Sequence, residues 1–195
     1  MDDATIAVYD ARAAKFADTW HAQPPDEDLH EAVRKFFRRG PSADIGCGSG
    51  RDAAWLNANG FPCVGYDVSE GLLGEARRRY PDIRFLTCAL PALPGIAEAS
   101  FDNVLCQTVI QHLPPGAVAR AIERLLAILK TGGNLYLTWR ITRNADQRDE
   151  HGRLYAALDI GSVRSALSGT TLLVDDQLNS TRSGKMNYRL VARKI

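Results

Sequence analysis

Three glycines on alternate positions, Gly46, Gly48 and Gly50, follow a short apolar run containing Asp44, and the chain then enters a helix-like stretch from residue 52. A residue without a Cβ takes positive φ and lets the main chain approach a bound group closely. The helix that follows offers unpaired N–H groups and the positive end of its dipole, which suit a carboxylate or a phosphate. The dinucleotide fingerprint has glycine at its first, third and sixth positions. Counted from Gly46 the sixth position is Arg51, so the spacing argues against NAD. Arg51 opposes the helix dipole unless an anion is bound, and is therefore a candidate partner for one, with a solvent-exposed first-turn residue as the other reading. A second apolar run ends in Asp67, an acid from which both hydroxyls of a ribose can be held.

Further along, His112 follows the run 101–107, which ends in Gln107. Its ordinary pKa near neutrality makes it the candidate general base, and a structural histidine capping the next turn is the alternative. Arg140, Arg143, Arg148 and Arg153 crowd one segment, and Arg182 can face them from a later connection. Guanidinium groups grip carboxylates and phosphates through paired hydrogen bonds, which points to an anionic small-molecule acceptor. Asp146, Asp149, Glu150 and Asp159 in the same segment leave a self-paired, solvated surface open. Cys47, Cys63, Cys88 and Cys106 form no C-x-x-C pair and read as buried reduced thiols, so neither a metal site nor a disulfide is expected.

The elements that must position these residues follow from periodicity. Ile6, Tyr9, Ala13, Phe16, Ala17 and Trp20 recur at helical spacing, which predicts one amphipathic helix over 4–20. A second helix over 28–38 stops at Gly40-Pro41. Strands at 43–45, 63–67, 83–88, 101–107 and 135–140 alternate with helices, and two further β-rich runs cover 171–178 and 187–193 after a short helix at 161–167. Such alternation argues for a parallel sheet with helices on both faces. Residues 141–159 show no clear period, and loops of that length are commonly functional.

Taken together, these motifs resemble the class I S-adenosylmethionine (SAM)-dependent methyltransferases over nearly the whole chain. Asp44-x-Gly46-x-Gly48-x-Gly50 looks like their first motif, Asp67 like their ribose acid, residues 101–105 like their fourth strand, and Leu129-Lys130-Thr131-Gly132-Gly133 like their LKPGG turn, with Thr131 in place of proline. The resemblance implies a single domain over 1–195 with a Rossmann-like, seven-stranded, mostly parallel sheet whose last strand is antiparallel and inserted beside the fifth. It implies SAM as cofactor and S-adenosylhomocysteine as product. Asp44, Gly46, Cys47, Gly48, Gly50, Arg51, Asp67, Val68, Ala89, Leu90 and Gln107 become the cofactor residues, with Ala89 where the family commonly has an aspartate. Residues 1–38 become a helical cap with Tyr9 facing the site, a role that plain packing of the same helix would also explain. Residues 141–160 become a substrate lid, with Tyr155 lining the acceptor pocket.

Composition limits the partners. With 24 basic and 23 acidic residues the formal charge is +1, which gives no electrostatic case for nucleic acid or an anionic membrane. No run approaches the roughly 20 apolar residues of a membrane span, and Met1-Asp2-Asp3-Ala4 lacks the features of a signal peptide, so a cytoplasmic protein is expected. The leading expectation is a methyltransferase acting on N, O or S of a small molecule by in-line displacement. The competing one is a non-catalytic SAM-binding or partner-binding protein on the same fold. Oligomeric state is left open.

Overall fold

The computed structural model describes residues 1–142 and 145–195. The strands are β1 (Ser42–Ile45), β2 (Cys63–Asp67), β3 (Phe85–Thr87), β4 (Phe101–Gln107), β5 (Leu129–Arg140), β6 (Gln147–Arg148), β7 (Leu154–Tyr155), β8 (Thr170–Asn179) and β9 (Met186–Lys194). Seven of them form one sheet in the order β3-β2-β1-β4-β5-β9-β8, while β6 and β7 pair separately. Neighbours from β3 to β5 are parallel, and β9 runs antiparallel between β5 and β8, as the sequence predicts.

Period-two alternation divides the core between the sheet faces. Val104, Cys106, Leu135, Leu137, Leu190 and Ala192 pack on one side. Their neighbours Leu105, Tyr136 and Val191 pack on the other. The first side is covered by α6 (Pro115–Ile128) and α7 (Ile160–Ala166), the second by α3 (Glu27–Phe36), α4 (Arg51–Ala58) and α5 (Glu70–Arg79). The helices start where their caps dictate. Asp26 accepts from the Leu29 N–H at 3.2 Å and Ser69 from the Leu72 N–H at 3.1 Å, contacts each worth about 1 kcal/mol.

The predicted helix over 4–20 is instead two helices, α1 (Asp3–Ala11) and α2 (Ala13–His21), broken at Arg12 with φ −126° and ψ 20°. Asp10 accepts from Ser69 Oγ at 2.6 Å and the Gly71 N–H at 3.0 Å, which ties the end of α1 to α5. Beyond the break, the Phe16 and Trp20 rings stack at 5.5 Å and Phe16 meets Tyr9 edge-on at 5.2 Å. The segment 141–159, expected without structure of its own, contains the β6–β7 hairpin, whose two-residue strands are too short to leave a period in the sequence. Among the described residues no helix is long and apolar enough to cross a membrane.

Candidate functional site

At the carboxyl ends of β1, β2, β4 and β5 lies a cavity of about 500 Å³. Gly46, Cys47, Gly48, Arg51, Asp67, Val68, Leu90, Gln107, His112 and Tyr9 all line it, and so do Arg140, Arg153, Tyr155 and Arg182. Ligands in open α/β sheets bind at this edge.

Main-chain geometry builds one end. The Gly46 and Cys47 N–H groups both donate to the Tyr66 carbonyl, at 2.7 and 3.0 Å, which fixes the loop to the neighbouring strand. Gly46 has φ +78°, and a Cβ there would lie 2.3 Å from Val109 Cγ2. Gly48 has φ +54°, and its Cβ would meet Trp20 Cζ3 at 3.0 Å. Asp67 accepts from the Gly48 N–H at 2.8 Å and the Ser69 N–H at 2.9 Å, so one carboxylate joins the glycine loop to the start of α5. Burial raises its pKa while those N–H groups hold it down. Asp44 sits behind the loop rather than on the cavity, buried, with Oδ2 free of partners among the described residues. Burial, then the nearby Asp52 and Asp67, pushes its pKa well up. Burial also raises the Cys47 thiol, which rules against a reactive thiolate.

Several expected residues turn out to be engaged elsewhere. Gly50, with φ +81°, is filled against by Phe85, whose Cζ would lie 2.6 Å from an added Cβ; it serves packing and does not line the cavity. Ala89 does not line it either, its carbonyl accepting from the Leu93 N–H at 2.9 Å to close a turn. Arg51 clasps the end of α2 through the carbonyls of Trp20, Gln23 and Pro24, rather than offering a free guanidinium. Arg182, expected at the acceptor end, lies at the glycine-loop end, 3.3 Å from both Asp26 and Asp52. Arg148 is outside the cavity, in a two-pronged pair with Asp2 at 2.8 and 2.9 Å. Arg143 lies outside the described residues.

Side chains build the other end. Leu154 can only accept through its carbonyl, so His112 Nδ1 carries the proton and donates to it at 2.5 Å. Nε2 of the neutral ring then accepts from the Tyr9 hydroxyl at 3.1 Å, and that hydroxyl accepts from Arg153 at 3.2 Å. Burial drives the His112 pKa down to about 4. Both ring nitrogens are engaged and burial makes the ring a weak base, so His112, the expected general base, here holds Tyr9 to the Leu154 carbonyl. Burial lifts the Tyr9 phenol to about 12. Arg153 also pairs with Asp149 at 2.6 Å and lies over the Phe16 ring at 4.8 Å. Gln107 donates from Nε2 to Asp26 at 2.7 Å, which leaves Oε1 buried without a partner among the described residues.

The sequence reading missed Trp20, Gln111, Thr108 and Asn187 as lining residues. Trp20 shares a helical face with Tyr9 and Phe16, a signal that was present. Thr108 carries no such signal: it adopts φ +56°, a rare conformation for a β-branched residue, just after the sheet ends.

A family model described as a methyltransferase domain matches residues 43–133. The ubiquinone biosynthesis O-methyltransferase of Paracidovorax citrulli is 30% identical over 164 residues, covering 74% of this chain and 67% of that protein. The trans-aconitate 2-methyltransferase of Rhizobium meliloti is 34% identical over 129 residues, 64% of this chain and 47% of that one. The chain thus spans between about half and two thirds of these relatives' lengths. Among solved structures, the 1,6-didemethyltoxoflavin-N1-methyltransferase of Burkholderia thailandensis, bound to 1,6-didemethyltoxoflavin and S-adenosylhomocysteine, superposes with TM-score 0.75 at 21% identity, covering 98% of this chain and 88% of that one.

Proposed function

Because the chain belongs to the SAM-dependent methyltransferase family, we propose that it moves the SAM methyl group to a small, anionic acceptor held at the Arg140 end of the cavity. The observation that carries this reading is that a single cavity receives both the glycine loop with Asp67 and the cluster of Arg140, Tyr155 and His112. The residues present fit the donor. Gly46 and Gly48 bring main chain to the cavity wall, Asp67 stands where ribose hydroxyls need a carboxylate, and the start of α4 supplies N–H groups for the methionine carboxylate. When bound, the donor supplies a methyl carbon on a sulfonium, which needs no activation by the protein.

What remains for this chain is to bind, orient and exclude water, and alignment of two reactants can lower a barrier by about 7–11 kcal/mol in the best model cases. The engaged, weakly basic His112 favours an acceptor that arrives already deprotonated, with an oxygen of a carboxylate or a phenolate as the receiving atom. In this reading residues 1–38 are the cap and 141–160 the lid. Thr5 Oγ1 accepting from the Leu154 N–H at 2.9 Å supports their closing as one piece. Four buried, unpaired cysteines support a reducing compartment, the cytoplasm. Transfer of radiolabelled methyl from SAM to a panel of small acids, phenols and amines tests the proposal. Label in an acid or phenol product is expected, and label confined to amines contradicts the anionic acceptor.

A further inference from the structure

The arginines of the site differ in what already holds them. Arg51 is bound to carbonyls, Arg148 to Asp2, Arg153 to Asp149 and Arg182 to Asp26 and Asp52. Arg140 is the exception: among the described residues its guanidinium has no carboxylate or carbonyl partner, and it lies over the Tyr155 ring at 4.8 Å. Stacking on an aromatic face leaves the in-plane N–H donors of a guanidinium available. A half-buried cation without a counter-charge on a cavity wall is costly unless a ligand supplies the charge.

A second donor stands beside it. Gln111 is buried, lines the cavity, and takes the Arg140 main-chain N–H on its Oε1 at 2.5 Å. An N–H must meet oxygen, so the amide cannot be flipped, and Nε2 is the amide's donor atom. Directly across the sheet, Asn187 pairs in register with Arg140 and lines the same cavity; its buried Oδ1, an acceptor with no partner among the described residues, calls for an N–H or O–H of a ligand and not for its anion.

We propose that Arg140, with Gln111 on the same cavity wall, forms a carboxylate-binding subsite, and that the acceptor is a small carboxylic acid. A flat guanidinium matches the two oxygens of a carboxylate. The cavity of about 500 Å³ must also admit the methyl donor, which keeps the acid small. The acid's use as an acceptor rests on the methyltransferase reading, whereas its binding to Arg140 does not.

The test is calorimetric titration with succinate and benzoate against the isosteric succinamide and benzamide, on the free protein and on the protein saturated with S-adenosylhomocysteine. Wild type is expected to bind at least one acid ten times more tightly than its amide. Arg140→Met removes that preference with S-adenosylhomocysteine affinity unchanged, and Arg140→Lys restores part of it. Acids and amides that bind alike, no acid binding, or a preference that survives in Arg140→Met would overturn the subsite. If S-adenosylhomocysteine fails to bind while the Arg140-dependent preference persists in the free protein, the methyl-donor reading falls and the subsite stands.

Discussion

The glycine-loop end of the cavity and the Arg140 end are made of different material. The first is largely main chain held by main chain: Gly46 and Cys47, in the loop after β1, donate to Tyr66 on the neighbouring β2, and Gly50 donates to the Cys47 carbonyl at 3.0 Å. The second is side chains from segments far apart in sequence. Tyr9 comes from α1, Gln111 and His112 from a turn after β4, Arg140 from the end of β5, and Tyr155 from the hairpin. What unites those segments is a few ties, such as the Ala156 N–H donating to the Gln111 carbonyl at 2.8 Å. A main-chain site is sensitive to any added Cβ and, apart from the Asp67 carboxylate that holds it, tolerant of side-chain changes, while a side-chain site can be rewritten one residue at a time. That division suits a fold that keeps one methyl donor and changes acceptors.

The sharpest way to break the comparison is a Cβ on the loop. Gly46→Val adds a β-branched residue at φ +78°, 2.3 Å from Val109. Left-handed strain and overpacking together cost about 3 kcal/mol or more, so thermal unfolding should drop by many degrees and S-adenosylhomocysteine binding should be lost. A fully stable variant with normal affinity would mean that the loop is not the rigid element described.

His112 tests the other end through pH. Its folded pKa of about 4 lies below the ordinary 6.5, so the unfolded chain takes up the proton first as pH falls. The stability from its burial is complete above pH 6.5, shrinks as pH falls through that value and is gone below about 4, a loss of up to about 3 kcal/mol. Urea unfolding from pH 7 to 4 should show this slope in wild type and a smaller one in His112→Gln. In turnover, kcat/KM should carry no histidine titration between pH 6 and 8, and a rate falling with acid through pH 6.5 would restore His112 as a base.

Asp67→Asn keeps the size of the side chain and removes its charge. One of its two N–H partners, Gly48 or Ser69, must then face an amide N–H₂. A loss of about 1.5–3 kcal/mol is expected, read as a fall in S-adenosylhomocysteine affinity of tenfold or more. The smallest effect belongs to the tie between cap and hairpin. Arg148 and Asp2 form an outer pair, and a double-mutant cycle of Arg148→Ala with Asp2→Asn should give a coupling of at most about 1 kcal/mol. Donor affinity should be untouched, and a fall in it in either single variant would make this tie part of the donor site.

The same contrast explains what the sequence reveals. Glycine spacing and Asp67 mark the loop because few residues tolerate positive φ and close approach, so chemistry leaves a pattern in residue type. The strands are legible for a similar reason, β1, β2, β4 and β5 being apolar runs set between helices or turn residues. The Arg140 end leaves no such mark. Arg140 and Arg148 look alike in sequence, and only the fold shows that one meets Asp2 while the other faces the cavity. His112 reads as a base from its ordinary pKa, yet Leu154, distant in sequence, takes its proton-bearing nitrogen. The break at Arg12 was hidden because both halves of the predicted helix keep helical spacing, and the turn between them depends on Asp10 reaching α5.

The most direct test of two ends working independently in one cavity is a calorimetric titration of S-adenosylhomocysteine into wild type, Asp67→Asn and Arg140→Met. Saturable one-to-one binding is expected, weakened at least tenfold in Asp67→Asn and unchanged in Arg140→Met. Absence of saturable binding to wild type, or an equal loss in both variants, would contradict the account.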